Sequence, residues 1–199
     1  EDVVLGALVG LAASVLLWPH GAAVSVQRAI DAALQGSSRY LDAAVARITR
    51  GASELTDERV SALSQDTLTA VRTYGDAVSN YLCETAGVVD TSVLDTDSRI
   101  PRIRTTADVI ADIVPPPFGV YPRARKVLEE HTAAMCARLE GREPVALLPP
   151  ISDDFVPALR AEANSGELGV AAALPLVTTA ANIGELELTY PAGLDEVPN

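Results

Sequence analysis

At 199 residues the chain is long enough to bury a real core, as one large domain or two small ones. Aromatic residues make up 4% of it against 48% hydrophobic residues overall, so Ala, Val, Leu and Ile must fill that core. This composition suits close-packed helices better than aromatic-rich sheets. A formal charge of −12 excludes the dominant basic surface that nucleic acid requires and disfavours unassisted adsorption to anionic lipid.

The first stretch, Val3 to Trp18, carries no charge. As a helix it rises roughly 24 Å, against a bilayer hydrocarbon core of about 30 Å. It therefore reads as the visible end of a membrane span or, alternatively, as a buried helix of a soluble bundle. Gly6, Gly10 and Ser14 recur every four positions and give one flat face, suited to close approach by another helix. Trp18 stands where an indole suits a membrane–water interface, and Pro19 and Gly21 are expected to break the helix. Glu1 and Asp2 offer no basic flank and no cleavage signature follows, so a secretory signal is not indicated. Lacking an initial Met, the chain reads as a piece of a longer protein.

A long helix is predicted from Ala22 to Arg50, with Val26, Ile30, Leu34, Ser37, Leu41, Val45 and Ile48 on one stripe and Gly51 as its stop. Thr56, followed by Asp57 and Glu58, caps a second helix with Val60, Leu63, Val71, Tyr74, Val78 and Leu82 on its apolar face, ending at Gly87. The two should form an antiparallel hairpin. The Thr/Ser-rich, acidic run from Val88 to Arg99 reads as a connection, with Pro101 opening a short helix through Val114. Pro115, Pro116 and Pro117 enforce an extended break. Pro122 opens a further helix to Gly141, Ser152-Asp153-Asp154 caps a short one, and the last spans Glu167 to about Tyr190, with Pro175 inside expected to kink or shorten it. That last helix is expected to be the buried centre of the bundle.

No motif for nucleotide binding or nucleophilic catalysis occurs, and no His, Cys, Asp or Glu spacing suits a metal ion. The chain reads as a non-enzyme with no catalytic residue, cofactor or metal. His131 falls on an apolar stripe and reads as a packing residue, with pH sensing as the alternative. Cys83 and Cys136 read as reduced thiols, with a single bridge between helices as the alternative. Glu129-Glu130 and Asp153-Asp154 read as solvated or capping charges. Two basic clusters, Arg99-Arg102-Arg104 and Arg123-Arg125-Lys126, flank the triple proline near helix starts. They are candidate contacts for an organic anion, an acidic partner or lipid headgroups, against a reading as ordinary salt bridges.

The apolar helix with spaced glycines, closing in Leu16-Leu17-Trp18-Pro19-His20-Gly21-Ala22 and continuing through Arg28, Ala29, Ile30 and Tyr40, resembles the fusaric acid resistance family. These are aromatic acid exporter-like inner-membrane proteins; members commonly carry a basic residue where this chain has His20. The resemblance covers about the first fifty residues. It implies a last membrane helix over 1–21 followed by a helical cytoplasmic domain over 22–199, with a hairpin over 22–87 and C-terminal helices over 100–190. It further implies upstream membrane helices as partners and export of small organic acids by the whole protein. The glycine face adds an expectation of homo-oligomers, and the apolar helix one of lipid contact. A non-transport scaffold that oligomerises through the N-terminal helix is the alternative function.

Overall fold

Helix α1, His20–Arg50, is the element around which most of the others pack. It is followed by α2 (Asp57–Glu84), α3 (Thr91–Ala111), α4 (Pro122–Leu139), α5 (Ile151–Ala163) and α6 (Val170–Thr189). The computed structural model describes residues 20–51, 55–84, 91–117, 119–142, 148–164 and 170–190. Among the described residues every regular element is helical, as the composition requires, and no helix is long and apolar enough to cross a membrane. Gly6, Gly10, Ser14, Trp18 and Pro19 lie outside the described residues. Gly21 is the second residue of α1, so it sits inside the helix rather than in a break.

The predicted stripe on α1 is buried: Leu41 and Ile48 are fully inside, with Val26, Ile30, Ser37 and Val45 beside them. Burial reaches well beyond the stripe, to Ala33, Ser38, Tyr40, Ala43, Ala44, Ala46 and Thr49. Small side chains at 43, 44 and 46 let neighbouring helices approach on several sides, which makes α1 the central helix. The last helix was expected in that position. Instead α6 buries Leu176, Thr179, Ala180, Ile183 and Leu186 and leaves Leu174, Val177 and Leu188 exposed.

The hairpin of α1 and α2 is antiparallel. Arg47 pairs with Asp57, the Thr67 hydroxyl donates to the Gly36 carbonyl, and Ile30 shares an apolar cluster with Tyr74. At Gly36 the α2 backbone passes close by, with Thr67 Cα 3.6 Å from where a Cβ would stand. Thr56 caps α2 through its hydroxyl, which accepts from the Arg59 N–H at 3.4 Å.

Three boundaries differ from expectation for identifiable reasons. Helix α3 starts at Thr91 and carries Pro101 in its interior instead of at its start. Pro101 faces solvent, while Ile100, Ile103, Ala107 and Ile110 are fully buried on the other side. Burial of that stripe outweighs one missing backbone bond. Helix α6 likewise continues through Pro175, whose carbonyl accepts from the Thr179 hydroxyl at 2.8 Å. Helix α5 begins at Ile151 with Pro150 at its N-cap and no side-chain cap of its own, so Ser152 does not fill the capping role.

Its cap comes from another helix. Glu187 Oε2 on α6 accepts from the Ile151 N–H at 2.9 Å. The same device recurs through the bundle. Glu162 on α5 receives the first N–H groups of α4, from Arg123 at 2.7 Å and Ala124 at 3.1 Å. Arg47 on α1 donates to the carbonyls of Ala111 and Ile113 at the end of α3, each at 3.0 Å. Arg138 on α4 donates to the Tyr190 carbonyl at the end of α6. Helix ends leave backbone donors and acceptors without intrahelical partners, and here side chains distant in sequence satisfy them.

Candidate functional site

The basic clusters do not converge on an anion. Arg99 lies over the Tyr190 ring at 5.6 Å, Arg102 donates to the Thr189 hydroxyl at 3.0 Å, and Arg104 lies 3.7 Å from Asp108 on its own helix. The Arg99 and Arg102 contacts fasten α3 to the end of α6. In the second cluster Lys126 pairs with Glu130 one turn away, and the helix start beside Arg123 is already occupied by the Glu162 carboxylate.

Arg125 departs furthest from a surface reading. Its side chain is buried and donates to backbone carbonyls only: Val120 at 2.6 Å, Ile48 at 2.8 Å, Thr49 at 2.6 Å and Pro117 at 2.8 Å, with Pro116 at 3.5 Å. The guanidinium thus closes the C-terminal end of α1, where the helix dipole is negative, and pins the proline connector against it. Burial lowers its pKa from the ordinary arginine value, and nearby Glu129 works in the opposite direction. Its role is architectural, and it is unavailable to a ligand.

A groove of about 370 Å³ opens between α1, α2 and the end of α3. Tyr40, Arg47, Asp57, Ser64, Asp108 and Asp112 supply its polar lining. Tyr40 and Arg47 are two turns apart on α1 and so share a face. The Tyr40 hydroxyl donates to Asp108 Oδ1 at 2.8 Å, and burial, together with the Asp108 contact, pushes its pKa up to about 12. Arg47 Nε donates to Asp57 at 2.7 Å. Tyr40, Asp108, Arg47 and Asp57 are thus paired with one another across the groove.

The second polar assembly lies where α4, α5 and α6 meet. His131 is buried, with Nδ1 2.6 Å from Glu187 Oε1 and Nε2 3.6 Å from Asp154 Oδ2. Burial alone would lower the imidazole pKa. The hydrogen bond and charge of Glu187, joined by Asp154, outweigh it and hold the pKa above the ordinary 6.5. His131 is therefore a buried residue, as its stripe position indicated, but one bracketed by charges. Asp154 becomes a ring partner rather than a mere helix cap.

Cys136 is buried and Cys83 exposed; both are free. Burial pushes the Cys136 thiol up to about 11, and its sulfur donates weakly to the Ser38 carbonyl at 3.4 Å. This is an inert packing thiol. Glu129 pairs with Arg50 on α1 at 3.1 Å, a contact between helices that its adjacent-pair reading did not contain. Among the described residues no group of His, Cys, Asp and Glu is arranged to hold a metal ion.

Asp108, Glu162 and Glu187 carry no role in the reading of the sequence, and Tyr40 enters it only through the family resemblance. Asp108 on α3 and Asp112 just past its end stand four residues apart, and Tyr40 and Arg47 lie two turns apart on α1, a spacing signal present in the chain. What the chain does not encode locally is which helix each face meets. No protein-family profile, no curated protein and no solved structure matches this chain.

Proposed function

We propose that the chain is the C-terminal, cytoplasmic part of an inner-membrane protein similar to the aromatic acid exporters, and that it serves assembly of that protein instead of catalysis. The observation that carries this reading is the position of α1. Its described part begins at His20, after the uncharged Val3–Trp18 run in sequence, and its C-terminal half from Ser37 to Thr49 is densely buried. A bundle organised on a helix that follows an uncharged apolar run in sequence suits a domain held beneath a membrane. Arg28, Arg39, Arg47 and Arg50 on α1 fit retention on the cytoplasmic side. Upstream membrane helices and further copies of the protein would be its partners, through Gly6, Gly10 and Ser14.

The test uses the complete reading frame that contains this chain. The protein should stay with membranes after an alkaline carbonate wash, and removing residues 22–199 should abolish tolerance of the host to aromatic acids. Release by the wash, or unchanged tolerance without the bundle, would refute the reading.

The second reading is a scaffold without transport. It is favoured by the exposed row of Ala171, Leu174, Val177, Ala181 and Leu188 on α6, spaced as one helical face. Washed-off protein that still self-associates would support it.

A further inference from the structure

We propose that α5 is a pH-releasable strap, held against α4 and α6 by the His131 ring while that ring is protonated and loosened when it gives its proton to solvent.

The geometry carries the argument. Both ring nitrogens face carboxylates from different helices: Nδ1 faces Glu187 of α6 at 2.6 Å, and Nε2 faces Asp154 of α5 at 3.6 Å. A neutral imidazole has one N–H, so in either tautomer one carboxylate looks at a lone pair. Only the imidazolium satisfies both. Its charge also separates two like charges that belong to the very helices it joins. Once the proton leaves, Glu187 can keep the shorter bond, but Asp154 then faces a lone pair and a neighbouring carboxylate. The Asp154 side chain is 44% exposed, so water is open to it.

Helix α5 is built to be the element that gives way. Of its residues only Ile151 and Phe155 are buried, and Pro157 interrupts its hydrogen-bond ladder. Apart from this apolar pair and the half-buried Leu159, its side-chain attachments are carboxylate contacts. At its start these are the Glu187 bond to the Ile151 N–H and the Asp154–His131 pair; near its end Glu162 reaches the start of α4. Deprotonation weakens the starting attachment first, because the Asp154–His131 pair lies there, whereas Glu162 bonds only to the start of α4.

The remaining charges around the ring do not supply a substitute. On α4 the neighbouring Glu130 is engaged with Lys126. From α3, Arg102 and Arg99 reach Thr189 and the Tyr190 ring, beyond Glu187 on α6, and Arg138 takes the Tyr190 carbonyl. The charge that α1 turns towards α4, Asp42, is grouped with Arg50, Glu129 and Glu140. Glu187 and Asp154 are the groups that bear on the ring.

The sign follows from the folded state holding the proton more tightly than the unfolded chain. The attachment is complete below the ordinary imidazole pKa of 6.5 and is lost as pH rises through the higher folded value. The strap therefore loosens in alkali.

The test is carried out on the full 199-residue chain. With only His20 and His131 to assign, ring resonances in a histidine-labelled sample give the His131 titration directly. Amide hydrogen exchange, corrected for intrinsic rates, gives the opening of α5. From about pH 6 to about pH 9 the opening constant of α5 should rise about threefold or more, while α1 stays protected. The midpoint should coincide with the ring titration. In His131→Gln the pH dependence of α5 should vanish, and in Asp154→Asn it should shrink. Should His131→Gln not fold, Asp154→Asn and the wild-type titration decide the matter. A ring that titrates below the ordinary value, or α5 protection that is the same at both ends of the range, would overturn the proposal.

Discussion

Replacing Arg125 by Met keeps the length and apolar stem of the side chain and removes only the guanidinium. Four backbone carbonyls, at Ile48, Thr49, Pro117 and Val120, lose a charged donor that lies within 2.8 Å. A buried acceptor stranded in this way costs about 1–3 kcal/mol. Water reaching part of the site lowers the total, so the expected loss is about 3–5 kcal/mol. That is a large share of the stability of an ordinary domain, about 5–15 kcal/mol. Urea unfolding followed by helical circular dichroism reads it directly: with a slope of about 2–3 kcal/mol/M for a chain of this size, the midpoint should fall by roughly 1.5 M. Arg125→Lys retains charge but not the planar fork, and should lose about half as much. A midpoint for Arg125→Met within about 0.3 M of wild type would refute the view that this residue closes α1 and the proline connector.

The other expectations concern the same bundle. Glu162→Ala removes the acceptor at the start of α4 and should cost about 1–2 kcal/mol, a fall in melting temperature of roughly 2–6 °C. Gly75→Ala should stabilise by about 1 kcal/mol, because its helical position is exposed and nothing stands within 4 Å of the new methyl group. Gly184→Ala should show no such gain, since its Cβ would meet Ile151 at 3.1 Å where α5 begins; equal melting shifts in the two variants would contradict this packing. A thiol reagent near neutral pH should modify Cys83 in the folded protein and reach Cys136 only after unfolding, and equal native reactivity would contradict the burial of Cys136. Light scattering should find the full chain self-associated and a version starting at Ala22 less so; a detergent-free monomer of residues 1–199 would remove the main support for a membrane helix.

The helices and their buried faces were legible because they rest on local periodicity. The α1 stripe from Val26 to Ile48 and the Pro122 start of α4 are read from spacing and backbone chemistry alone. Pro101 misled because a proline is a local signal, whereas the Ile100–Ile110 stripe that overrides it is stabilised by helices elsewhere in the chain. The choice of central helix was missed for a related reason. Hydropathy favours α6, but packing rewards the alanines of α1, whose small size admits neighbours on several sides. The basic clusters were visible as charges, yet whether an arginine is solvated or enclosed depends on partners dozens of residues away. Arg125 and Lys126 are adjacent in sequence and opposite in fate.

The exchange of end-caps between helices bears on how the chain is made. The donor that closes α1 lies 77 residues beyond Ile48, and the acceptor for the start of α4 lies 39 residues beyond Arg123. The acceptor for the start of α5 is 36 residues further along the chain than Ile151. During synthesis from the N-terminus, α1 therefore emerges with its last carbonyls open and stays so until α4 has left the ribosome. Helix α4 in turn waits for α5, and α5 for α6. The order of translation thus keeps α1, α4 and α5 provisional until a later helix arrives. The nascent chain carries unfinished helix ends and uncovered apolar stripes for most of its elongation, a period in which chaperone contact or a slowed ribosome would matter more to yield than the stability of the finished bundle.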